Sequence, residues 1–167
     1  YEQLQNSMQD RAESLLNLAG VYQLTGRQSD VEPTLRRALE RDPTFHPAVI
    51  MLAQWQEQAM GAPQVGLRLL QENLARYPEE ASLHHAHALM LVRQGKRAEA
   101  LTAFQRAHEL APEHSHYGYV FAVALYDSNQ KQRALALLRE LLRQAPAQRS
   151  VRLALISYLS AEGNRAE

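Results

Sequence analysis

The sequence contains no cysteine. This absence excludes disulfides, thiol nucleophiles, zinc–thiolate sites and C-x-x-C-H haem attachment within these 167 residues. It is compatible with both the cytoplasm and the bacterial periplasm. No apolar run approaches the roughly 18 residues that span a bilayer, so we expect no membrane insertion. Lys plus Arg and Asp plus Glu balance at 18 each, so nucleic acid is not an expected partner.

Residue arrangements that carry catalysis are also missing. We find no serine–histidine–acid arrangement and no glycine-rich phosphate loop, and the acidic residues are scattered as on solvated helix faces. We therefore predict that the chain is not an enzyme and that it needs no cofactor.

The strongest pattern that is present is a period of about 34 residues. Pro43, Pro78, Pro112 and Pro146 follow one another at intervals of 35, 34 and 34. Proline ends a helix because it lacks an N–H and disfavours helical geometry in the preceding residue. A fixed period of this size indicates a protein of stacked repeats.

Small residues and turn residues return with the same period. Small side chains let two antiparallel helices approach to roughly 8–10 Å, and residues that tolerate a left-handed backbone predict the turn between them. The small residues are Ala19, Ala53, Ala88 and Ala122, and the turn residues are Gly26, Gly61, Gly95, Asn129 and Gly163.

The second repeat has one extra residue between Ala53 and Gly61. We expect its first helix to run one residue longer for this reason. Trp55 lies close to the extra residue. We expect it to pack against the two small positions of its own repeat, Gly66 and Asn73. The alternative is that it is exposed for contact with a partner.

A unit of helix, turn, helix and turn with this period resembles the tetratricopeptide repeat family. The stretch ASLHHAHALMLVRQGKRAEALTAFQRAHELAPEH carries the resemblance most fully, because its small, turn, aromatic and proline positions all match. The resemblance implies an all-α fold, a right-handed α-solenoid of antiparallel helix pairs with about four and a half repeats.

We predict a single domain over residues 1–167. Because the fifth repeat would stop after its first helix, we expect the sequence to be a piece of a longer protein. The predicted segments are an N-terminal helix extension (1–11), four repeats (12–45, 46–80, 81–114 and 115–148) and the first helix of a fifth repeat (149–167).

The same resemblance implies a protein-interaction scaffold. In this family the first helices of successive repeats line a concave groove that receives a peptide or a partner segment. The matching residues are largely apolar or aromatic, rather than the lysines and asparagines that bind a terminal carboxylate. An alternative is that some of them pack against neighbouring helices. They are Leu16, Gln23, Ile50, Gln54, His85, Leu89, Val92, Arg93, His116, Tyr119, Val123, Tyr126, Asp127, Leu153 and Ser157.

Two further functions stay open at this point. The stretches YGYVFAVALYDSNQKQRALALL and VRLALISYLSAEGN resemble the C-terminal repeats of bacterial multihaem c-type cytochromes, which implies a docking region of an electron-transfer protein. A metal site is the other alternative, built from a cluster of histidines. These histidines are His84, His85, His87, His114 and His116.

The apolar residues of the last predicted helix indicate a second interaction surface. Leu153, Ile156 and Leu159 recur on one side of RSVRLALISYLSAEG, where a following helix would cover them in a longer solenoid. We expect self-association through this helix.

Overall fold

The computed structural model describes residues 11–163, in which nine α-helices and no strand are found. The predicted all-α solenoid of antiparallel helix pairs is confirmed. Residues 1–10, and with them the predicted N-terminal helix extension, lie outside the described part. The helices are α1 (Ala12–Leu24), α2 (Gln28–Arg41), α3 (His46–Gln58), α4 (Pro63–Arg76), α5 (Ala81–Arg93), α6 (Arg97–Leu110), α7 (Ser115–Asp127), α8 (Lys131–Gln144) and α9 (Arg149–Gly163).

The chain divides into two compact units, Tyr1–Pro78 and Glu79–Glu167. The first unit holds α1 to α4 and the second holds α5 to α9. Within residues 11–163, no helix has both the length and the apolar character that crossing a membrane requires. The repeat boundaries and the single-domain organisation stay predictions.

Each unit buries a seam of small residues and a set of larger apolar side chains. Ala19 and Ala53 in the first unit, and Ala88 and Ala122 in the second, are completely buried. Close helix packing at these points requires small side chains. The core of the first unit includes Leu15, Val31, Leu35, Leu52 and Trp55, and a core cluster of the second comprises Ala122, Leu138, Leu141 and Val151.

Of the five residues predicted to have a left-handed backbone, Gly163 is the exception and the other four have a positive φ. Gly26 and Gly95 have φ of 76°, and Asn129 has φ of 60°. In each of these turns the N–H of the following residue donates to a carbonyl five residues earlier, which closes the helix end. The prediction for Gly163 is wrong, because this residue is the helical end of α9 and has no positive φ.

The extra residue of the second repeat lies in a turn, and the predicted longer helix is wrong. Helix α3 has 13 residues, as do α1, α5 and α7. The connection to α4 has four residues, Ala59–Ala62, and Ala62 N–H donates to the Gln56 carbonyl, six residues earlier. Gly61 takes the left-handed conformation with φ of 59°. The register of α3 is therefore the same as that of the other first helices.

Gly118 makes room for a histidine from the neighbouring helix. A Cβ atom at this position would lie 2.8 Å from Leu141 Cδ2 and 3.2 Å from two atoms of the His108 ring. His108 on α6 and Leu141 on α8 thus occupy the space that a bulky side chain at residue 118 would need.

Candidate partner-binding surface

All fifteen predicted groove residues lie on the first helices of the pairs, α1, α3, α5, α7 and α9, and none of them is buried. Leu16 packs against the core of the first unit, and Tyr119 packs against the core cluster of the second. The predicted residues on α5 and α7 form the first-helix face of the second unit, which comprises His85, Leu89, Val92, Arg93, His116, Tyr119, Val123, Tyr126 and Asp127.

The first-helix face ends at a cavity of about 450 Å³. The cavity lies where the C-terminal ends of α5 and α7 meet the beginning of α6. Val92, Arg93 and Asp127 of the predicted set line it. Two cavities in the first unit, of about 390 and 240 Å³, include none of the predicted residues. The other residues that line the cavity of about 450 Å³ are Gly95, Arg97, Ala100, Ala124 and Ser128.

Sequence reasoning missed Arg97, the second basic residue of this cavity. Arg97 is the first residue of α6, which is the second helix of its pair, whereas the family pattern selects residues on first helices only. In residues 11–163 the Arg97 side chain makes no hydrogen bond and no ion pair. Arg97 is exposed at the cavity.

A different arrangement is found between α7 and α9. The rings of Tyr126 and Tyr158 stack with centroids 3.7 Å apart and planes 5° from parallel. The Tyr126 hydroxyl donates to Glu162 Oε1 at 3.0 Å, and Lys131 Nζ lies 2.8 Å from the same oxygen. Burial, and then the charge of Asp127, raise the pKa of the Tyr158 hydroxyl. Tyr126 therefore has partners within the chain.

Histidines and aromatic rings cluster at the opposite ends of α5 and α7. The His85 ring centroid is 5.3 Å from that of His116 and 4.8 Å from that of Tyr117. His114 stacks on Tyr117 at 4.3 Å. Burial lowers the pKa of His85 to about 4, and the neighbouring His116 and His114 contribute to this shift. His85 is thus a neutral ring near pH 7 and contributes packing rather than charge.

The described residues contain no group of three His, Asp or Glu side chains placed to hold a metal ion. The His87 imidazole is half-buried, and burial lowers its pKa. Among residues 11–163, its buried Nε2 has no hydrogen-bond partner.

Helix α9 presents an apolar surface of its own. Leu153 and Ile156 are both 55% exposed, and Leu159 is 41% exposed. Self-association through this surface stays a prediction.

Comparison with known proteins bears on the family and on the fold. A family model described as Tetratricopeptide repeat matches residues 11–166. A search of curated proteins finds no match. None of these comparisons tests the resemblance to multihaem cytochromes, which stays a prediction.

Three solved structures show the same fold. The first is the pilF protein of Pseudomonas aeruginosa, with a TM-score of 0.74 and 23% identity, over 92% of this chain and 69% of that one. A thermophilic tetratricopeptide repeat protein of Thermus thermophilus has a TM-score of 0.74 and 20% identity, over 95% and 86%. YrrB, described as having an unusual peptide-binding site, has a TM-score of 0.62 and 19% identity, over 87% and 74%.

Proposed function

Since the chain belongs to the tetratricopeptide repeat family, whose fold serves protein–protein interaction, we propose that its second unit binds a segment of a partner protein on the first-helix face. The cavity at the end of this face is the observation that carries the proposal. Its volume of about 450 Å³ falls within the roughly 300–1,000 Å³ that is typical of ligand-binding pockets in proteins.

The chemistry of the face suits a polypeptide. Leu89, Val92 and Val123 offer apolar contacts, and the pair Arg93 and Asp127 offers one charge of each sign near the cavity. A face of this kind binds apolar side chains at its centre, while the charges orient the segment. The peptide-binding site by which YrrB is described supports the choice of peptides as probes, although at 19% identity the likeness shows the fold alone.

The test uses peptides selected on the whole chain from a random display library, with affinities measured by isothermal titration calorimetry. Val92→Ser should weaken binding at least ~fivefold, as expected for a central contact. Val65→Ser is the matched control, because Val65 is 53% exposed and Val92 46% exposed, and Val65 lies on the second helix α4.

A charge reversal gives an independent readout. Arg93→Glu should weaken the same peptides, whereas Arg139→Glu on the exposed side of α8 should leave their affinity unchanged. If the selected peptides bind the Val92 and Arg93 variants as tightly as the unmodified chain, the proposed function is wrong.

A further inference from the structure

The tenth residue of a first helix is a large aromatic residue in α3 and in α9, but an alanine in α7. Trp55 is the tenth residue of α3, and it is only 5% exposed. Its Nε1 donates to Gln28 Oε1 at 3.2 Å, and Gln28 is the first residue of the preceding helix α2. In the first unit, a large aromatic side chain at this position thus reaches the beginning of the neighbouring second helix.

Tyr158 is the tenth residue of α9 and corresponds to Trp55 by position. It stacks on Tyr126, the twelfth residue of α7. Lys131, the first residue of α8, forms an ion pair with Glu162, four residues after Tyr158. Tyr158 thus provides an aromatic ring that packs on α7, and Glu162, one helical turn later, provides a carboxylate that neutralises Lys131.

Between α5 and α7 the corresponding residues are small. Ala124, the tenth residue of α7, corresponds to Trp55 and Tyr158, and Val92 corresponds to Tyr126. Ser128 corresponds to Glu162, so that Arg97, which corresponds to Lys131, has no carboxylate from the next helix. The cavity of about 450 Å³ lies at this point, and all four of these residues line it.

We infer that this cavity receives an aromatic side chain of the partner, followed one helical turn later by a carboxylate that pairs with Arg97. The inference rests on the proposed function and adds the chemistry of the bound segment. Val92 and Ala124 give the aromatic ring an apolar contact, as Tyr126 does for Tyr158. Arg97 lines the cavity and has no carboxylate from the next helix, which favours an acidic residue of the partner over a basic one.

The test uses acetylated, amidated, alanine-rich helical peptides with a fluorescent label, and anisotropy measures their binding to the whole chain. One peptide carries a tyrosine and, four residues later, a glutamate. In the two control peptides alanine replaces the tyrosine, or glutamine replaces the glutamate. Each control should bind about tenfold more weakly than the tyrosine–glutamate peptide.

Two variants locate the binding at the cavity. Ala124→Tyr introduces the side chain that α9 has at the same position, and it should abolish binding while Ala136→Tyr, on the exposed side of α8, leaves it unchanged. Arg97→Gln should remove the preference for glutamate over glutamine and keep the preference for tyrosine. This second variant leaves the packing of α7 untouched.

The outcomes separate this inference from the proposed function. The inference is wrong if the tyrosine–glutamate peptide binds no better than its controls at millimolar concentration, or if Ala124→Tyr leaves its affinity unchanged. In either case the proposed function still stands, provided that the library-selected peptides respond to Val92→Ser.

Discussion

Tyr126 of α7 stacks on Tyr158 of α9 with ring centroids 3.7 Å apart. A residue predicted from the family pattern to contact a partner is thus held by the chain itself. The stack is part of the packing between α7 and α9 in the second unit, and it contributes stability there.

The first prediction concerns this stack. Tyr158→Ala should lower the free energy of unfolding by about 1–3 kcal/mol, because it removes a half-buried ring and its contact with Tyr126. Tyr158→Phe keeps the ring and should cost less than half as much. Urea unfolding followed by far-ultraviolet circular dichroism measures both. Equal losses for the two variants would contradict a stabilising role of the rings.

The second prediction concerns the seam of small residues. Ala107 is completely buried on α6, so Ala107→Leu should overpack the second unit and cost about 1–3 kcal/mol. Ala98→Leu, at an exposed position of the same helix, is the control and should change stability by less than about 0.5 kcal/mol. Unchanged thermal unfolding of the Ala107 variant would contradict the packing described for α6.

The third prediction concerns the close approach of Leu141 to Gly118. Gly118→Ala places a Cβ 2.8 Å from Leu141 Cδ2, and we expect a net loss of about 1 kcal/mol, since overpacking outweighs the better helix propensity of alanine. In a Leu141→Val background the shorter side chain relieves the clash, so the loss should shrink or reverse. A double-mutant cycle measures this coupling. Additive effects would show that the two residues do not compete for space.

The fourth prediction is an acid sensitivity of the second unit. The folded pKa of His85 is about 4, below the ordinary value of 6.5, so the unfolded chain binds the proton more readily. This contribution to stability is fully present above pH 6.5 and is lost as the pH falls from there towards 4. We expect a loss of about 1–2 kcal/mol, because solvent still reaches the half-buried ring. Burial lowers the pKa of His87 and His108 in the same direction.

Chemical unfolding at pH 7 and pH 5 measures this loss. His85→Phe retains an aromatic ring beside Phe104 and Tyr117 and should unfold with a smaller pH dependence than the unmodified chain. Trp55, the one tryptophan of the sequence, reports on the first unit by fluorescence and gives an internal comparison. Identical pH dependence with and without His85 would exclude it as the source.

The sequence allowed much of the fold to be predicted because single residues satisfy local requirements. Ala88 and Ala122 are where close helix packing needs a small side chain, and Gly26 and Gly95 are where the backbone needs a positive φ. Gly163 failed as a turn residue because glycine also tolerates a helical conformation. The position of the extra residue could not be predicted, since sequence spacing between Ala53 and Gly61 does not distinguish a longer helix from a longer turn.

The cavity could not be predicted from the family pattern, because it depends on a comparison between repeats. The small size of Ala124 is informative only in comparison with Trp55 and Tyr158 at the same position. Likewise, Arg97 differs from Lys131 in lacking the carboxylate that Glu162 provides. The expectation that Trp55 is packed is confirmed, because its side chain is buried. The contact found for its ring nitrogen is with Gln28 of the preceding pair, whereas the sequence pointed to residues of its own repeat.

The most direct test of the account is a map of the bound peptide on the whole chain. Amide chemical shifts of the isotopically labelled protein, recorded with and without a library-selected peptide, identify the contacted residues. We expect the largest changes at Val92, Arg97, Ala124 and Asp127, at the ends of α5 and α7 and the beginning of α6. Changes confined to the exposed sides of the second helices, at Thr102 and Arg139 for example, would contradict the account.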